Sequence, residues 1–295
     1  MLFTVKELKI RAKDYYKLTK PGIIRGNILT AVGGFFLASK GHVNLLLFLA
    51  MLIGTTLVIA SACVFNNFLD RHIDAAMERT KNRALVNGTI SNRNAMVFAT
   101  ILGLLGVTSL ALYTNLLTVF VGITGFIAYV VVYGYFKRHS VHGTLIGTIS
   151  GAASIVAGYT AVSDRLDLGA GLLFLILVAW QMAHFFGIAL YRQDDYAAAK
   201  IPVLPVMKGI ARTKLQVMIY IVGYIISTTL LTIFGYAGII SALVLGGLGM
   251  YWLWLGTKGY ATAKESPRWG RKMFLVSLIV ILSLSVMLSI DNYLP

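Results

Sequence analysis

The chain has 295 residues, of which 58% are hydrophobic and only 13% are charged, against about 25% charged residues in a soluble domain. Its mean hydropathy of +0.79 and its apolar runs of about 18–22 residues, long enough to cross hydrocarbon, exclude a soluble globular protein. The single cysteine, Cys63, excludes a disulfide framework and a thiolate metal cluster.

The formal net charge of +15 reflects membrane topology. If the N-terminus is cytoplasmic, every Lys and Arg except Lys40 and Arg165 falls in a cytoplasmic segment or at the adjoining end of a span. The positive-inside rule produces this distribution, and basic residues on that face also favour anionic lipid headgroups. We therefore predict a cytoplasmic N-terminus and no nucleic-acid partner.

In chain order, residues 1–20 are rich in Lys and have no apolar run, which predicts a short amphipathic helix on the cytoplasmic surface. Nine apolar spans follow, and we predict an all-α bundle of nine transmembrane helices that forms one domain over residues 1–295. The spans are 22–39, 45–65, 95–113, 116–136, 143–163, 169–191, 213–234, 236–256 and 271–290.

The end of the second span carries four polar residues spaced four apart along one face of a continuing helix: Asn66, Asp70, Asp74 and Glu78. Carboxylate and amide oxygens are the ligands that Mg²⁺ prefers, and Mg²⁺ commonly bridges to substrate phosphates. The guanidinium groups of Arg79 and Arg83, which follow, suit phosphate oxygens. The alternative is a solvated helix end, but polar groups directly after an apolar run are costly without a function.

A second acidic patch closes the sixth span at Asp194 and Asp195, and Lys200 follows it. Pro202 and Pro205 prevent the helix from simply continuing and predict a rigid loop. A solvated loop is again the alternative. Because both patches lie after even-numbered spans, we expect them on the same side of the membrane, where together they indicate a site for Mg²⁺ and a phosphorylated substrate.

Other polar and aromatic residues give weaker signals. His184 lies within the sixth span, where an imidazole needs a partner or a ligand. Five aromatic residues are expected to line the inside of the bundle, where their faces could stabilise a carbocation, although packing is their commoner role. They are Tyr129, Tyr133, Tyr135, Tyr159 and Phe185.

Five stretches of the chain resemble the UbiA-type intramembrane prenyltransferases, which are all-helical proteins with nine spans and two Asp-rich motifs. The stretches are 20–22, 66–83, 137–150, 180–184 and 195–205. Within that family the chain is most similar to the branch that farnesylates haem. The resemblance implies transfer of the farnesyl group of farnesyl diphosphate to the 2-vinyl group of haem B, giving haem O and diphosphate. It also implies a location in the bacterial plasma (inner) membrane, with the active site on the cytoplasmic side.

The resemblance further implies a role for individual residues. The expected catalytic residues are Asp70, Asp74, Asp195 and Arg79, and the expected metal ligands are Asn66, Asp70, Asp74 and Asp195. The expected diphosphate-binding residues are Arg83, Lys137, Arg138 and Lys200, and the expected haem-binding residues are His184 and His139. Mg²⁺ is the expected cofactor, and farnesyl diphosphate and haem B are the expected substrates. Haem A synthase or terminal oxidase assembly is the candidate downstream partner.

The chain departs from the family pattern at two places. Ala153 and Ser154 stand where members carry a pair of prolines, and Ala183 stands where they carry one, so the fifth and sixth spans are expected to be straighter. The missing prolines keep open an inactive relative that assists the assembly of a terminal oxidase. Two further alternatives are a sister prenyltransferase with an aromatic or quinone acceptor and a secondary transporter or lipid flippase.

Overall fold

The structure is a computed structural model that describes residues 5–258 and 265–295, with side chains from residue 12 onward. Residues 1–4 of the predicted surface segment lie outside the described residues. So does Lys264, one of the basic residues that were assigned to the cytoplasmic face. The described part of the chain is helical. Nine of its helical segments are long and apolar enough to cross a membrane, so the predicted nine-helix fold is confirmed.

The helices are numbered in chain order. They are α1 (Val5–Leu18), α2 (Pro21–Ser39), α3 (Leu45–Ala75), α4 (Asn92–Tyr113), α5 (Leu116–Ile127), α6 (Gly134–His139), α7 (Gly143–Ser163), α8 (Leu168–Tyr191), α9 (Gln193–Ala198), α10 (Leu204–Lys208), α11 (Ile210–Ile233), α12 (Ile239–Thr257) and α13 (Ser266–Ile290). A π-helix, Ala128–Tyr133, joins α5 to α6, and the three together form the fourth span.

Several helices begin at side chains that cap their free backbone N–H groups. Asn44 accepts a hydrogen bond from the amide of Leu47 at the start of α3, and Asp167 accepts one from the amide of Ala170 at the start of α8. The predicted span boundaries hold to within a few residues at most ends. The main difference is that α3 continues past residue 65 to Ala75, which carries the first acidic patch out of the apolar region on the same helix.

Close backbone contacts between glycines and neighbouring helices fix the packing of the bundle. A Cβ atom on Gly158 of α7 would lie 1.9 Å from the carbonyl oxygen of Ala31 in α2, and one on Gly34 would lie 2.2 Å from the carbonyl oxygen of Ile155. Both α7 and α8 are uninterrupted α-helices. The largest cluster of buried apolar side chains lies mainly among α7, α8, α11 and α13.

Six of the spans surround a cavity of about 700 Å³, to which α2, α3, the fourth span, α7, α8 and α13 contribute most of the lining. Successive spans run in opposite directions, so the ends of α3, α6 and α8 and the start of α2 lie at one face of the bundle. The cavity is polar near that face and apolar further in, because the polar residues of the acidic patches line only that end.

The contact between α2 and α7 gives a direct test of this packing. Replacing Gly158 with alanine should lower the free energy of unfolding by about 1–3 kcal/mol, because the added methyl group overlaps backbone that cannot move away. Thermal unfolding of the detergent-solubilised protein measures the effect. Gly246→Ala is the matched control, since no atom lies within 4 Å of the added Cβ there. Equal melting temperatures for the two variants would contradict the proposed packing.

Candidate active site

The most buried carboxylate of the cavity is that of Asp70 on α3, which is 2% exposed. The Lys137 ammonium donates a hydrogen bond to its Oδ2 atom, and Arg138 Nη2 donates to Oδ1 at 3.2 Å. Arg138 Nη2 also donates to the carbonyl oxygen of Leu69 at 2.6 Å. Two cations from α6 thus compensate a charge that would be very costly in an apolar bundle if it were unpaired.

One helical turn further along α3, the Asp74 carboxylate is also buried. Arg83 Nη1 donates to its Oδ2 atom at 2.6 Å and to Oδ1 of Asn67 at 3.1 Å. The chain can return to Asp74 because α3 ends at Ala75, and Thr80 Oγ1 then donates to the carbonyl oxygen of Asp74 at 2.9 Å. The loop after α3 therefore folds back over the end of the helix.

The end of α3 also receives a cation that the sequence prediction missed. Lys20 Nζ donates a hydrogen bond to Asn66 Oδ1 at 2.5 Å, and Tyr129 OH approaches the same oxygen at 3.4 Å. Burial lowers the pKa of Lys20 to about 8, because desolvation disfavours the charged ammonium. The signal that could have identified Lys20 was its position immediately before Pro21, at the end of α2 that faces the site.

The second acidic patch borders the same cavity as the first. Asp195 lines the cavity, and Arg192 Nη1 lies 3.5 Å from its Oδ2 atom. Beside it, burial raises the pKa of Tyr196, while the charges of Arg79 and Lys137 act in the opposite direction. Tyr196 is thus within electrostatic reach of groups from both patches. The two motifs converge on one site although more than a hundred residues separate them in the chain.

Most of the predicted site residues line the cavity: Asn66, Asp70, Asp74, Arg79, Arg83, Lys137, His184 and Asp195. Arg138 does not line it but contacts the carboxylate of Asp70 from outside. Lys200 is an exposed loop residue with a left-handed backbone (φ 54°) and is not itself in the cavity lining, although Ile201 and Pro202 directly after it are. Its role in diphosphate binding stays a prediction.

Three other residues that the sequence singled out lie outside the cavity lining: Glu78, His139 and Tyr135. Glu78 does not continue the face of Asn66 and Asp70, because α3 has already ended; it is exposed and pairs with Lys81 at 2.8 Å. His139 is exposed and stacks on Tyr135 at 4.4 Å between ring centroids, with its Nδ1 atom 2.8 Å from the carbonyl oxygen of Tyr135. Neither ring lines the cavity.

Of the other predicted aromatic residues, Tyr159 is not in the cavity lining either, since its hydroxyl donates to Asp167 at the opposite end of the bundle. Tyr129 and Tyr133 of the π-helix do line the cavity, and their rings stack at 5.6 Å with an interplanar angle of 17°. The Lys20 ammonium lies 5.9 Å from the Tyr129 ring and the Lys137 ammonium lies 5.6 Å from the Tyr133 ring. This pair connects the charged end of the cavity to its apolar interior.

The opposite wall of the cavity is formed by α8 and α13. His184 stacks on Trp180 at 4.7 Å between ring centroids and lies 5.0 Å from the ring of Phe274. Its Nδ1 atom is 2.6 Å from Ser277 Oγ, so the buried imidazole has the hydrogen-bond partner that its position requires. Phe185 lines the cavity next to it. This wall is aromatic, with the Trp180 and His184 rings stacked and the Phe274 ring tilted by 50° from that of His184.

The donor set of the charged end suits Mg²⁺, which takes oxygen ligands. Carboxylate oxygens of Asp70, Asp74 and Asp195 and the amide oxygen of Asn66 all border the cavity. The Nδ2 atom of Asn66 is buried without a hydrogen-bond partner. In the described part of the chain no three His, Cys, Asp or Glu side chains are close enough to form a complete cage. Mg²⁺ is usually held by one or two carboxylates together with substrate phosphates, and this arrangement fits that mode.

Comparisons with known protein families and with related sequences agree on one family. Residues 27–278 match the UbiA prenyltransferase family. The chain is 50% identical over 284 residues to protoheme IX farnesyltransferase of Sodalis glossinidius (strain morsitans), with 96% of each chain covered.

Solved structures share the fold at lower identity. A UbiA homologue from Archaeoglobus fulgidus bound to GPP and Mg²⁺ superposes with a TM-score of 0.69 at 17% identity, covering 94% of this chain and 99% of the other. A second structure comes from work on digeranylgeranylglyceryl phosphate synthase in membranes. It superposes with a TM-score of 0.76 at 19% identity, covering 97% of this chain and 99% of the other.

The position of Lys20 leads to a prediction about anion binding. Lys20→Met should weaken the binding of inorganic diphosphate by roughly tenfold, because one charge-assisted contact at the cavity mouth is lost. Calorimetric titration of the purified protein with diphosphate and Mg²⁺ measures this. Lys17→Met is the control, since Lys17 is exposed on α1. Unchanged affinity in Lys20→Met would mean that this lysine only supports Asn66.

Proposed function

The chain belongs to the UbiA prenyltransferase family, and on that basis we propose that it transfers the farnesyl group of farnesyl diphosphate to the 2-vinyl group of haem B. Relatives with about half of their residues identical over nearly the whole length carry the name protoheme IX farnesyltransferase. The observation that carries the proposal is one cavity with both acidic patches at its mouth and an apolar interior wide enough for an isoprenoid.

The reaction begins at the bond between C1 of the farnesyl chain and the diphosphate oxygen. This bond breaks with both electrons leaving on diphosphate, and the allylic cation that forms is attacked by the vinyl group of haem. Water adds to the resulting cation and loses a proton, which gives the hydroxyethylfarnesyl side chain of haem O. The overall change consumes one water and releases one diphosphate.

The basic residues at the cavity mouth stabilise the charge that develops on the leaving group. Lys137 forms an ion pair with Asp70, and Arg83 forms one with Asp74. Lys20 donates a hydrogen bond to Asn66. On binding, the diphosphate oxygens become additional acceptors for these cations and for Arg79. Mg²⁺ held through Asn66, Asp70, Asp74 and Asp195 would supply further neutralisation of the diphosphate. The donors are already in position, so little reorganisation is needed when the bond breaks.

The apolar interior protects the reacting carbon from water. The stacked rings of Tyr129 and Tyr133 lie where the charged mouth meets the apolar chamber, and their faces can attract an adjacent allylic cation. The wall formed by Trp180, His184 and Phe274 is available for a flat acceptor such as haem. His184 is the haem-binding candidate that lines the cavity, whereas His139 is exposed and outside the lining, and its role in haem binding stays a prediction.

We infer that the site opens to the cytoplasm across a bacterial inner membrane. The support is the concentration of Lys and Arg at the face that carries the cavity mouth, which the positive-inside rule assigns to the cytoplasm. The helix at Val5–Leu18 lies at the same face, since Asn67 Nδ2 of α3 donates to the carbonyl oxygen of Leu18 at 2.7 Å. Its contact with a lipid surface stays a prediction.

Family membership removes the transporter and flippase alternative. The relatives named protoheme IX farnesyltransferase, about 50% identical over nearly the whole chain, favour haem over a quinone or aromatic acceptor and an active enzyme over an inactive relative that assists oxidase assembly. Expression of the chain followed by haem extraction and chromatography tests this. Haem O appears only if the chain is active on haem.

Replacing Asp70 with Asn should reduce haem O formation at least a hundredfold. The substitution removes the carboxylate that positions Lys137 and that would hold Mg²⁺. The measurement is haem O per amount of protein in membranes supplied with Mg²⁺ and farnesyl diphosphate. Asp164→Asn serves as the control, because Asp164 is exposed at the end of α7 remote from the cavity mouth. Wild-type turnover in Asp70→Asn would refute the metal assignment.

A further inference from the structure

Two arginines that the diphosphate mechanism does not use converge on one tyrosine at the rim of the cavity. Tyr191 ends α8 and lines the cavity. The guanidinium carbon of Arg192 lies 4.9 Å from the centre of its ring, and that of Arg271 on α13 lies 5.9 Å from the same ring. We refer to Tyr191, Arg192 and Arg271 as the rim cluster.

The rim cluster carries an excess of positive charge. Among the described residues Arg192 pairs within 4 Å with the carboxylate of Asp195, at 3.5 Å, and this long contact leaves most of its donors available. Arg271 is exposed and makes no ion pair within 4 Å among the described residues. Two guanidinium groups therefore share at most one carboxylate, so the cluster can accept a further anion. Arginine forks match the geometry of carboxylates in particular.

Tyr191 and Arg192 line the same cavity as the aromatic wall, and Arg271, outside the lining, reaches its edge at the Tyr191 ring. Arg192 follows His184 by eight residues, about 12 Å along the helix axis, and Arg271 precedes Ser277 by six residues, about 9 Å. The two helices form one continuous wall because they touch at Gly187 and Gly270, where a Cβ on Gly270 would lie 2.7 Å from the carbonyl oxygen of Gly187.

A tetrapyrrole acceptor has the same two-part character as this wall. Its ring is flat and apolar, and both of its propionate carboxylates lie on one edge, several ångströms from the centre. The wall offers an aromatic surface around His184 and, about two helical turns nearer the polar face, two converging guanidinium groups. A lipid phosphate would use the arginines but not the aromatic surface, and the diphosphate already has its own cations around α3.

We propose that Arg192 and Arg271, oriented by Tyr191, bind the propionate carboxylates of the tetrapyrrole acceptor, with the ring lying against Trp180, His184 and Phe274. This inference rests on the proposed function, since it takes a haem as the acceptor. The propionates lie at the cavity rim, and the opposite edge of the ring, which carries the vinyl groups, extends into the cavity. The arginines thereby select acceptors with acidic side chains.

The test compares haem with its dimethyl ester, in which both propionates lose their charge. The full-length protein is reconstituted in phosphatidylcholine nanodiscs, and the affinity for each compound is measured from the change in haem absorbance. The wild-type protein should prefer the diacid, and Arg271→Gln and Arg192→Gln should each reduce that preference about tenfold. Arg271→Lys should lose part of it, because a lysine keeps the charge but not the planar fork.

The matched control is Lys272→Gln, which removes an exposed charge from the adjacent position of α13 and should leave the preference unchanged. The KM for farnesyl diphosphate should also stay unchanged in both arginine variants. An unchanged diacid preference in both arginine variants would overturn the inference. So would a preference that appears only when phosphatidylglycerol is added to the nanodiscs, since the arginines would then bind lipid.

Failure of the proposed function gives a different result. If the wild-type protein binds haem but forms no haem O, the proposed function fails, while the comparison of diacid and diester still decides the inference. If haem O forms and the arginine variants keep the diacid preference, the proposed function stands and the inference fails. A raised KM for farnesyl diphosphate with an unchanged diacid preference would mean that the arginines bind the diphosphate. That result would also overturn the inference.

Discussion

The structure depends on keeping the Asp70 carboxylate charged inside an apolar bundle. A carboxylate that is 2% exposed is tolerated only with compensating partners, and Lys137 and Arg138 of the fourth span provide them. These contacts hold the end of α3 against α6. A pair of cations that can also bind phosphate oxygens is therefore present before any substrate arrives. The same interaction that makes the buried charge tolerable thus prepares the site for its anionic ligand.

The cavity is divided between two chemically different walls. On one side, α3 and the fourth span carry Asp70, Asp74 and Lys137, and the stacked rings of Tyr129 and Tyr133 mark the end of the charged region. On the other side, α8 and α13 carry aromatic rings, with arginines only at the rim. The two walls thus differ in the chemistry they offer a ligand, and within the residues that the structure describes only Asp195, which follows α8, brings a carboxylate from the aromatic side to the charged end. Close glycine contacts between α8 and α13 and between α2 and α7 fix the positions of these walls.

Sequence patterns predicted those features that arise from local physics. Apolar run length gave nine spans, and four-residue spacing correctly grouped Asn66, Asp70 and Asp74 on one helix face. The same spacing failed for Glu78, because nothing in the periodicity indicated that α3 ends at Ala75. Lys20 was missed as a site residue because its partner, Asn66, is distant in the chain and is reached only when α2 packs beside α3. Contacts of this kind depend on helix packing, which no local pattern encodes.

The π-helix at Ala128–Tyr133 has a consequence for the length of the fourth span. A π-turn accommodates an extra residue compared with an α-turn, and here it lies between the cavity-lining Phe126 and Lys137. Because the wider turn absorbs the extra residue, the helix keeps its register before and after it, and Lys137 still faces its carboxylate although the span is longer. Removing one residue from the regular α-helical part of the span, where nothing absorbs the change, would instead rotate Lys137 by about 100° around the axis. A change in the length of this span is therefore compatible with the buried ion pair only where it converts a π-turn to an α-turn or the reverse, and the exposed side chains of Val131 and Val132 lie in that segment.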